Sequence, residues 1–115
     1  MLRDQATRAY GYEKTLTHWH YVRSSEMRNI IPYSDTADFI INTSMPYELP
    51  LYQPKLIAHF ADWVDRYREN PLRLDAFTRA ERIHAMLQTI TPHPDDSLVP
   101  RHSVIREFIG GLQID

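Results

Sequence analysis

Residues 2–43 have the sequence LRDQATRAYGYEKTLTHWHYVRSSEMRNIIPYSDTADFIINT, and the interpretation of the whole chain depends on this stretch. It begins with two arginines, Arg3 and Arg8, and ends with a short apolar run at residues 39–41. Guanidinium groups suit phosphate or carboxylate partners. Consecutive apolar residues before a polar turn are typical of a strand that is covered on both faces, as in a parallel sheet. The stretch therefore predicts an anion-binding arm that leads into a sheet.

The local pattern within this stretch predicts two helical pieces followed by one strand. Residues 1–31 are expected to be helical with a break at Gly11, because apolar residues recur at three- and four-residue spacing after the glycine. Pro32 is expected to end the second piece. A turn follows, and residues 37–43 are predicted to form a short strand. No second strand is predicted in the chain, and one strand does not make a sheet.

The remainder, residues 46–115, is predicted to form about three helices. Pro46, Pro50 and Pro54 are expected to precede the first of them, and Asn70-Pro71 to end it. A proline- and aspartate-rich loop at residues 91–100 should separate the second helix from a short last one, which Ser103 caps and Gly110-Gly111 terminate. The predicted apolar stripes of the first two helices are Leu56, Ile57, Phe60, Ala61, Val64 and Tyr67, and Leu74, Phe77, Ile83, Met86, Leu87 and Ile90.

Composition narrows the class of protein. The 115 residues fit one domain, with a formal charge of -2 and interspersed signs, so no broad basic face indicates nucleic acid. The chain has no cysteine, and neither an apolar leader nor a long apolar run occurs. We therefore expect a soluble, cytoplasmic protein without a membrane partner. No metal site is expected, because His18 and His20 would point to different sides of a helix.

Several short motifs resemble the C-terminal half of the uridine kinase and phosphoribulokinase family of P-loop kinases. That family has an L-R-D-x-x-x-R-G lid motif, a V-[KR] pair, a proline and an A-D strand that is the last of a parallel sheet. The corresponding residues here are Leu2-Arg3-Asp4, Arg8, Val22-Arg23, Pro32 and Ala37-Asp38.

The chain is more similar still to a bacterial uridine-kinase-like branch that is often fused to a threonyl-tRNA-synthetase-like region. The similarity runs nearly end to end, although Ala9 replaces the usual lid glycine and Tyr10 stands where classical members have a further arginine. The matching positions are Arg3, Asp4, Arg8, Glu13, Thr15, Trp19, Val22, Arg23, Glu26, Pro32, Tyr33, Ala37, Asp38, Tyr47, Glu48, Leu49 and the segment SVIREFIGG at residues 103–111.

The resemblance implies roles for the residues of the lid. Arg3 and Arg8 would steady the charge on the transferred phosphoryl group, and Asp4 would orient them. The alternative for Asp4 and Arg8 is an ordinary surface ion pair at i,i+4 spacing. Arg23 would either reach the substrate or pair with Glu26.

Three polar residues, Asn42, Thr43 and Ser44, follow the predicted strand. Open α/β sheets bind ligands at the carboxyl ends of their strands, so the resemblance implies that Asn42 and Thr43 contact the nucleotide base. The alternative is a polar turn without a ligand. For the segment at residues 103–111, the expected role is docking against the rest of the kinase, and the alternative is that it lines the site.

One motif of the family is missing from this sequence. The chain has three glycines and no G-x-x-x-x-G-K-[ST], so the loop that would cradle ATP and bind Mg²⁺ is not among these residues. We expect residues 1–115 to be a partial domain of a longer α/β kinase, inactive alone and holding neither ATP nor Mg²⁺ by itself. The alternative is a non-catalytic helical module that self-associates or binds a P-loop partner through residues 39–41.

Overall fold

The chain is mostly helical in its computed structural model, which describes residues 1–3 and 11–114. The prediction of a mostly helical chain is thus confirmed. Besides Leu2 and Arg3, which are helical, the described ranges contain four α-helices, two 3-10 turns and no strand. The α-helices are α1 (Tyr12–Asn29), α2 (Glu48–Tyr67), α3 (Leu74–Gln88) and α4 (Ile105–Ile109), and the 3-10 turns are Ile31–Thr36 and Pro71–Arg73.

Helix α1 begins and ends where glycine and proline predict. Gly11 is extended, with φ −63° and ψ 146°, and Tyr12 is the first helical residue. The helix ends at Asn29, because Pro32 cannot continue an α-helix and instead lies in the first 3-10 turn. Of the whole helix, only Leu16 and Thr17 are buried. Most of α1 therefore faces away from the core.

The core lies between α2 and α3, with one end of α1 laid across them. Phe60 and Trp63 of α2 meet in an edge-to-face contact, with ring centres 5.0 Å apart. Ala76 and Ala80 of α3 are completely buried, and their small side chains let the two helices approach closely. The buried members of this core are Leu16, Phe60, Trp63, Tyr67, Ala76, Ala80 and Leu87.

Helix α2 begins earlier than the prolines predicted. It starts at Glu48, so Pro50 lies in the first turn and Pro54 lies inside the helix. Pro50 is tolerated there because the first N–H groups of a helix have no intrahelical acceptor. Pro54 has no N–H to give to the carbonyl of Pro50, and that carbonyl instead accepts a hydrogen bond of 2.8 Å from the backbone N–H of His93.

The last helix is short and is fixed by residues on both sides. Val104, not Ser103, is the N-cap of this helix and makes no capping bond, but Ser103 Oγ just before it accepts a hydrogen bond of 3.3 Å from the N–H of Ile105. Gly110 then has φ +95°, a backbone conformation that residues other than glycine rarely adopt, and α4 ends there. Ile105 packs with Leu51 and Val99 in a second small cluster, which joins α4 to the beginning of α2.

The predicted strand at residues 37–43 does not form. The segment is without regular structure, and the side chains of Phe39, Ile40 and Ile41 are 86%, 90% and 80% exposed. The physical reason is the lack of a neighbour: a strand needs a second strand to satisfy its backbone N–H and C=O groups, and the described residues supply none. The α/β sheet that the resemblance implies is therefore absent from this part of the chain.

Candidate functional site

Arg3, the first predicted lid arginine, lies against the last helix. Its guanidinium is 3.5 Å from Glu107 Oε1 and 5.7 Å from the centre of the Phe108 ring. Both charged side chains are a little more than one third exposed, so the pair is accessible to water and to salt. The segment at residues 103–111 thus supplies a carboxylate and an aromatic ring to Arg3.

Two other predicted lid residues, Asp4 and Arg8, lie outside the described residues. Their expected roles in orienting and stabilising a phosphoryl group stay predictions.

Arg23 pairs with Glu26, which is one of its two expected arrangements. Its guanidinium donates a hydrogen bond of 3.3 Å to Glu26 Oε2, and both side chains are at the surface of α1. An exposed i,i+3 pair of this kind contributes only a few tenths of a kcal/mol. Nothing in this geometry prevents Arg23 from exchanging Glu26 for another anion.

Asn42 and Thr43 lie in an exposed turn. Asn42 Oδ1 accepts a hydrogen bond of 3.0 Å from the backbone N–H of Ser44, a local arrangement that asparagine commonly makes in turns. Thr43 is also exposed. Arg3 contacts Glu107, Arg23 contacts Glu26, and Asn42 bonds within its own turn, so these predicted site residues have different partners.

All three glycines of the chain lie near helix ends. Of the glycines, Gly11 precedes α1, and Gly110 and Gly111 follow the last helix. None stands between a strand and a helix, where backbone N–H groups would surround a phosphate.

A polar network that the sequence did not reveal joins α1 to α2. The carboxylate of Glu13 accepts hydrogen bonds from the Tyr67 hydroxyl and, at 2.9 Å, from Arg66 Nη1. Asp62 accepts from the other amino group of Arg66. The hydrogen bond from Tyr67 holds the pKa of Glu13 below its usual value, with a smaller contribution from Arg66. Burial, aided by the Glu13 charge, raises the pKa of Tyr67 to about 12.

Arg106 holds the loop before α4 in place. Its guanidinium donates to the backbone carbonyls of Asp96 and Val99, each at 2.7 Å, and lies 3.4 Å from Asp96 Oδ1. The Arg106 side chain is only 13% exposed, so these acceptors replace the water that it would otherwise bind. The conspicuous SVIREFIGG segment therefore has a structural role here, because Arg106 fixes the loop and Ile105 anchors the helix.

A cleft of about 380 Å³ opens between α1, α2 and α3. Aliphatic and aromatic side chains line most of it, and two arginines of α3, Arg79 and Arg82, also reach it. Leu56, Phe60, Ile83, Met86 and Leu87 belong to the apolar stripes predicted from the sequence, and a helical stripe alone does not distinguish a filled interface from an open one.

Neither a metal cluster nor a membrane span is present in the described part of the chain. No three His, Asp or Glu side chains within it are placed to hold a metal ion, and no helix within it is long and apolar enough to cross a bilayer. Comparison of the chain with known protein families, characterised proteins and solved structures gives no match. Functional inference therefore depends on the residues of this chain.

Proposed function

We propose that these residues are the lid and C-terminal segment of an ATP-dependent kinase that phosphorylates a hydroxyl group of a uridine-like nucleoside. The order and spacing of the motif residues support the proposal, because they follow the family pattern from Arg3 to Gly111. The kinase core, with its phosphate loop and Mg²⁺ site, would be supplied by residues outside this chain. We expect this chain alone to be inactive.

The observation that carries the proposal is the exposed apolar segment at residues 39–41. Three consecutive large apolar side chains stand almost fully in water, at the place where the family has the last strand of its parallel sheet. Burying each side chain would contribute about 1.5–3 kcal/mol, so an apolar partner surface is strongly favoured. A parallel sheet supplies such a surface together with the missing backbone hydrogen bonds.

In this proposal, Arg3 exchanges one anion for another. Its carboxylate partner Glu107 is at the surface, and the ion pair is weak enough to be replaced by a triphosphate. Arg3 and Arg8 would then stabilise charge on the transferred phosphoryl oxygens, and Asn42 and Thr43 would contact the base. ATP and Mg²⁺ would be held by the kinase core.

The first test uses the purified chain with labelled ATP, Mg²⁺ and uridine. We expect no phosphorylated product above a heat-treated control, because the phosphate cradle is missing. Sequencing the DNA upstream of Met1 is the companion test. A reading frame that continues upstream into a glycine-rich phosphate loop would support the proposal. An in-frame stop codon just upstream of Met1, with no phosphate loop encoded before it, would contradict the proposal. Turnover by the chain alone would also overturn it.

A longer protein that contains both the phosphate loop and these residues permits a sharper test. Arg3→Gln and Arg8→Gln should each lower kcat about a hundredfold, because each removes charge stabilisation in the transition state. Arg101→Gln is the matched control, since Arg101 is exposed and belongs to no motif assigned to the lid. Equal activity of the lid variants and the control would refute the assigned roles.

A second candidate function is a non-catalytic module that self-associates through the same segment. The exposed apolar side chains, on a segment whose backbone has no strand partner among the described residues, favour pairing with another copy. Sedimentation velocity of the purified chain distinguishes the two functions. Association that Ile40→Lys abolishes would favour the module, whereas a monomer at all concentrations would exclude self-association through residues 39–41.

A further inference from the structure

The cleft between α1, α2 and α3 is lined mostly by apolar side chains and is open to solvent. Its volume of about 380 Å³ is in the range of sites for small molecules. Its floor includes the core residues Leu16, Phe60 and Leu87, and its exposed side chains include Trp19 and Met86. The other described apolar residues that line it are Met1, Leu49, Tyr52, Leu56 and Ile83.

The charged groups of the cleft are all of one sign among its described lining residues. Arg79 and Arg82 line it, and no Asp or Glu does. Arg79 is already engaged, because its guanidinium donates to the Leu16 carbonyl at 3.0 Å and lies 3.7 Å from Asp75 Oδ2. Arg82, one turn further along α3, is exposed and makes no ion pair within the described part of the chain. A cation without an anion thus stands beside an apolar cavity.

We propose that this cleft binds a small molecule that has an aliphatic body and a single carboxylate, with the body between the three helices and the carboxylate on Arg82. Leucine, isoleucine and methionine side chains dominate the lining, and this favours a flexible hydrocarbon. A cationic ligand would meet two arginines, and an uncharged one would leave Arg82 unused. This site is independent of the proposed kinase function, since it shares none of the predicted phosphoryl or base contacts.

Methionine methyl groups provide a site-specific readout of binding. The chain has four methionines, of which Met1 and Met86 line the cleft and Met27 and Met45 do not. We propose to label all four methyl groups with ¹³C and to titrate the chain with decanoate while recording NMR spectra. We expect saturable shifts of the Met1 and Met86 signals, with the Met27 and Met45 signals unchanged. Equal shifts of all four, or no saturation, would overturn the proposal.

The role of Arg82 is tested by matched variants. Arg82→Gln should weaken decanoate binding about fivefold, the scale of one exposed ion pair, and Arg82→Lys should restore much of the affinity. Arg101→Gln removes an equal charge elsewhere and should leave the affinity unchanged. Decan-1-ol should bind the native chain and Arg82→Gln equally. Undiminished decanoate binding by Arg82→Gln, or equal weakening by Arg101→Gln, would refute the carboxylate site.

Discussion

The helical body at residues 48–109 and the segment at residues 37–44 are both rich in apolar side chains, yet only one of them is packed. In the body, each apolar stripe meets another: α2 lies against α3, and α4 lies against the beginning of α2. In the segment, the side chains of Phe39, Ile40 and Ile41 are 80–90% exposed. Apolar content therefore does not determine structure unless the same chain provides a complementary surface.

The largest expected difference between the two regions is in stability. Phe60→Ala should lower the free energy of unfolding by about 3–5 kcal/mol, because the buried ring leaves a cavity among Leu16, Trp63 and Leu87. Phe39→Ala, the same chemical change in the exposed segment, should change it by less than about 0.5 kcal/mol. Urea denaturation measures both. A similar cost for the two variants would mean that residues 37–44 are packed in solution.

A smaller effect is expected where the body ends, at the loop that Arg106 holds. Arg106→Gln should cost about 2–3 kcal/mol, because the carbonyls of Asp96 and Val99 lose charged hydrogen bonds. Amide hydrogen exchange should rise in residues 96–99 and stay unchanged in α3. Arg101→Gln, which removes a neighbouring exposed charge, serves as the control. Unaltered exchange in the loop would show that Arg106 does not hold it.

The smallest effect concerns pH, through the contact between α1 and the body. Tyr67→Phe should lower the free energy of unfolding by about 1 kcal/mol near neutral pH, because the hydrogen bond to Glu13 is lost. The pKa of Tyr67 is raised from 10.0 to about 12 in the fold, so this advantage of the native chain is present below pH 10 and disappears as the pH rises to about 12.

At acid pH, Glu13 gives this contact a pH dependence opposite to that of Tyr67. Because the pKa of Glu13 is lowered in the fold, its contribution is present above the unfolded value of 4.5 and is lost as the pH falls further. Thermal melts of the native chain and Tyr67→Phe should therefore differ most between pH 5 and 10. A constant difference from pH 3 to 12 would contradict this account.

Sequence predicted the elements whose signals are local. Gly11, Pro32, Ser103 and Gly110 set helix ends through their own backbone geometry or hydrogen bonding, and the helices begin or end beside them. The strand prediction was wrong because strand formation depends on a partner that the segment's own residues do not specify. A single sequence carries the first kind of information and lacks the second.

The candidate site was less predictable than the fold. The resemblance identified Arg3, but its contacts with Glu107 and Phe108 join the two ends of the chain and have no signal in spacing. The Glu13–Tyr67 hydrogen bond and the arginines of the cleft are likewise products of tertiary packing. Arg82 occupies an ordinary exposed helix position in the sequence, and only the packing of α1, α2 and α3 places it beside a cavity.

The missing N–H of Pro54 also restricts which loops can follow α3. The carbonyl of Pro50 is left for a donor from elsewhere, and His93 provides it. Both neighbours of His93 are prolines, Pro92 and Pro94, and neither has an N–H to offer. The contact can therefore form in one register only. Adding or deleting a single residue between Gln88 and His93 would strain or break it, so the length of this loop is fixed by the chemistry of a helix that precedes it.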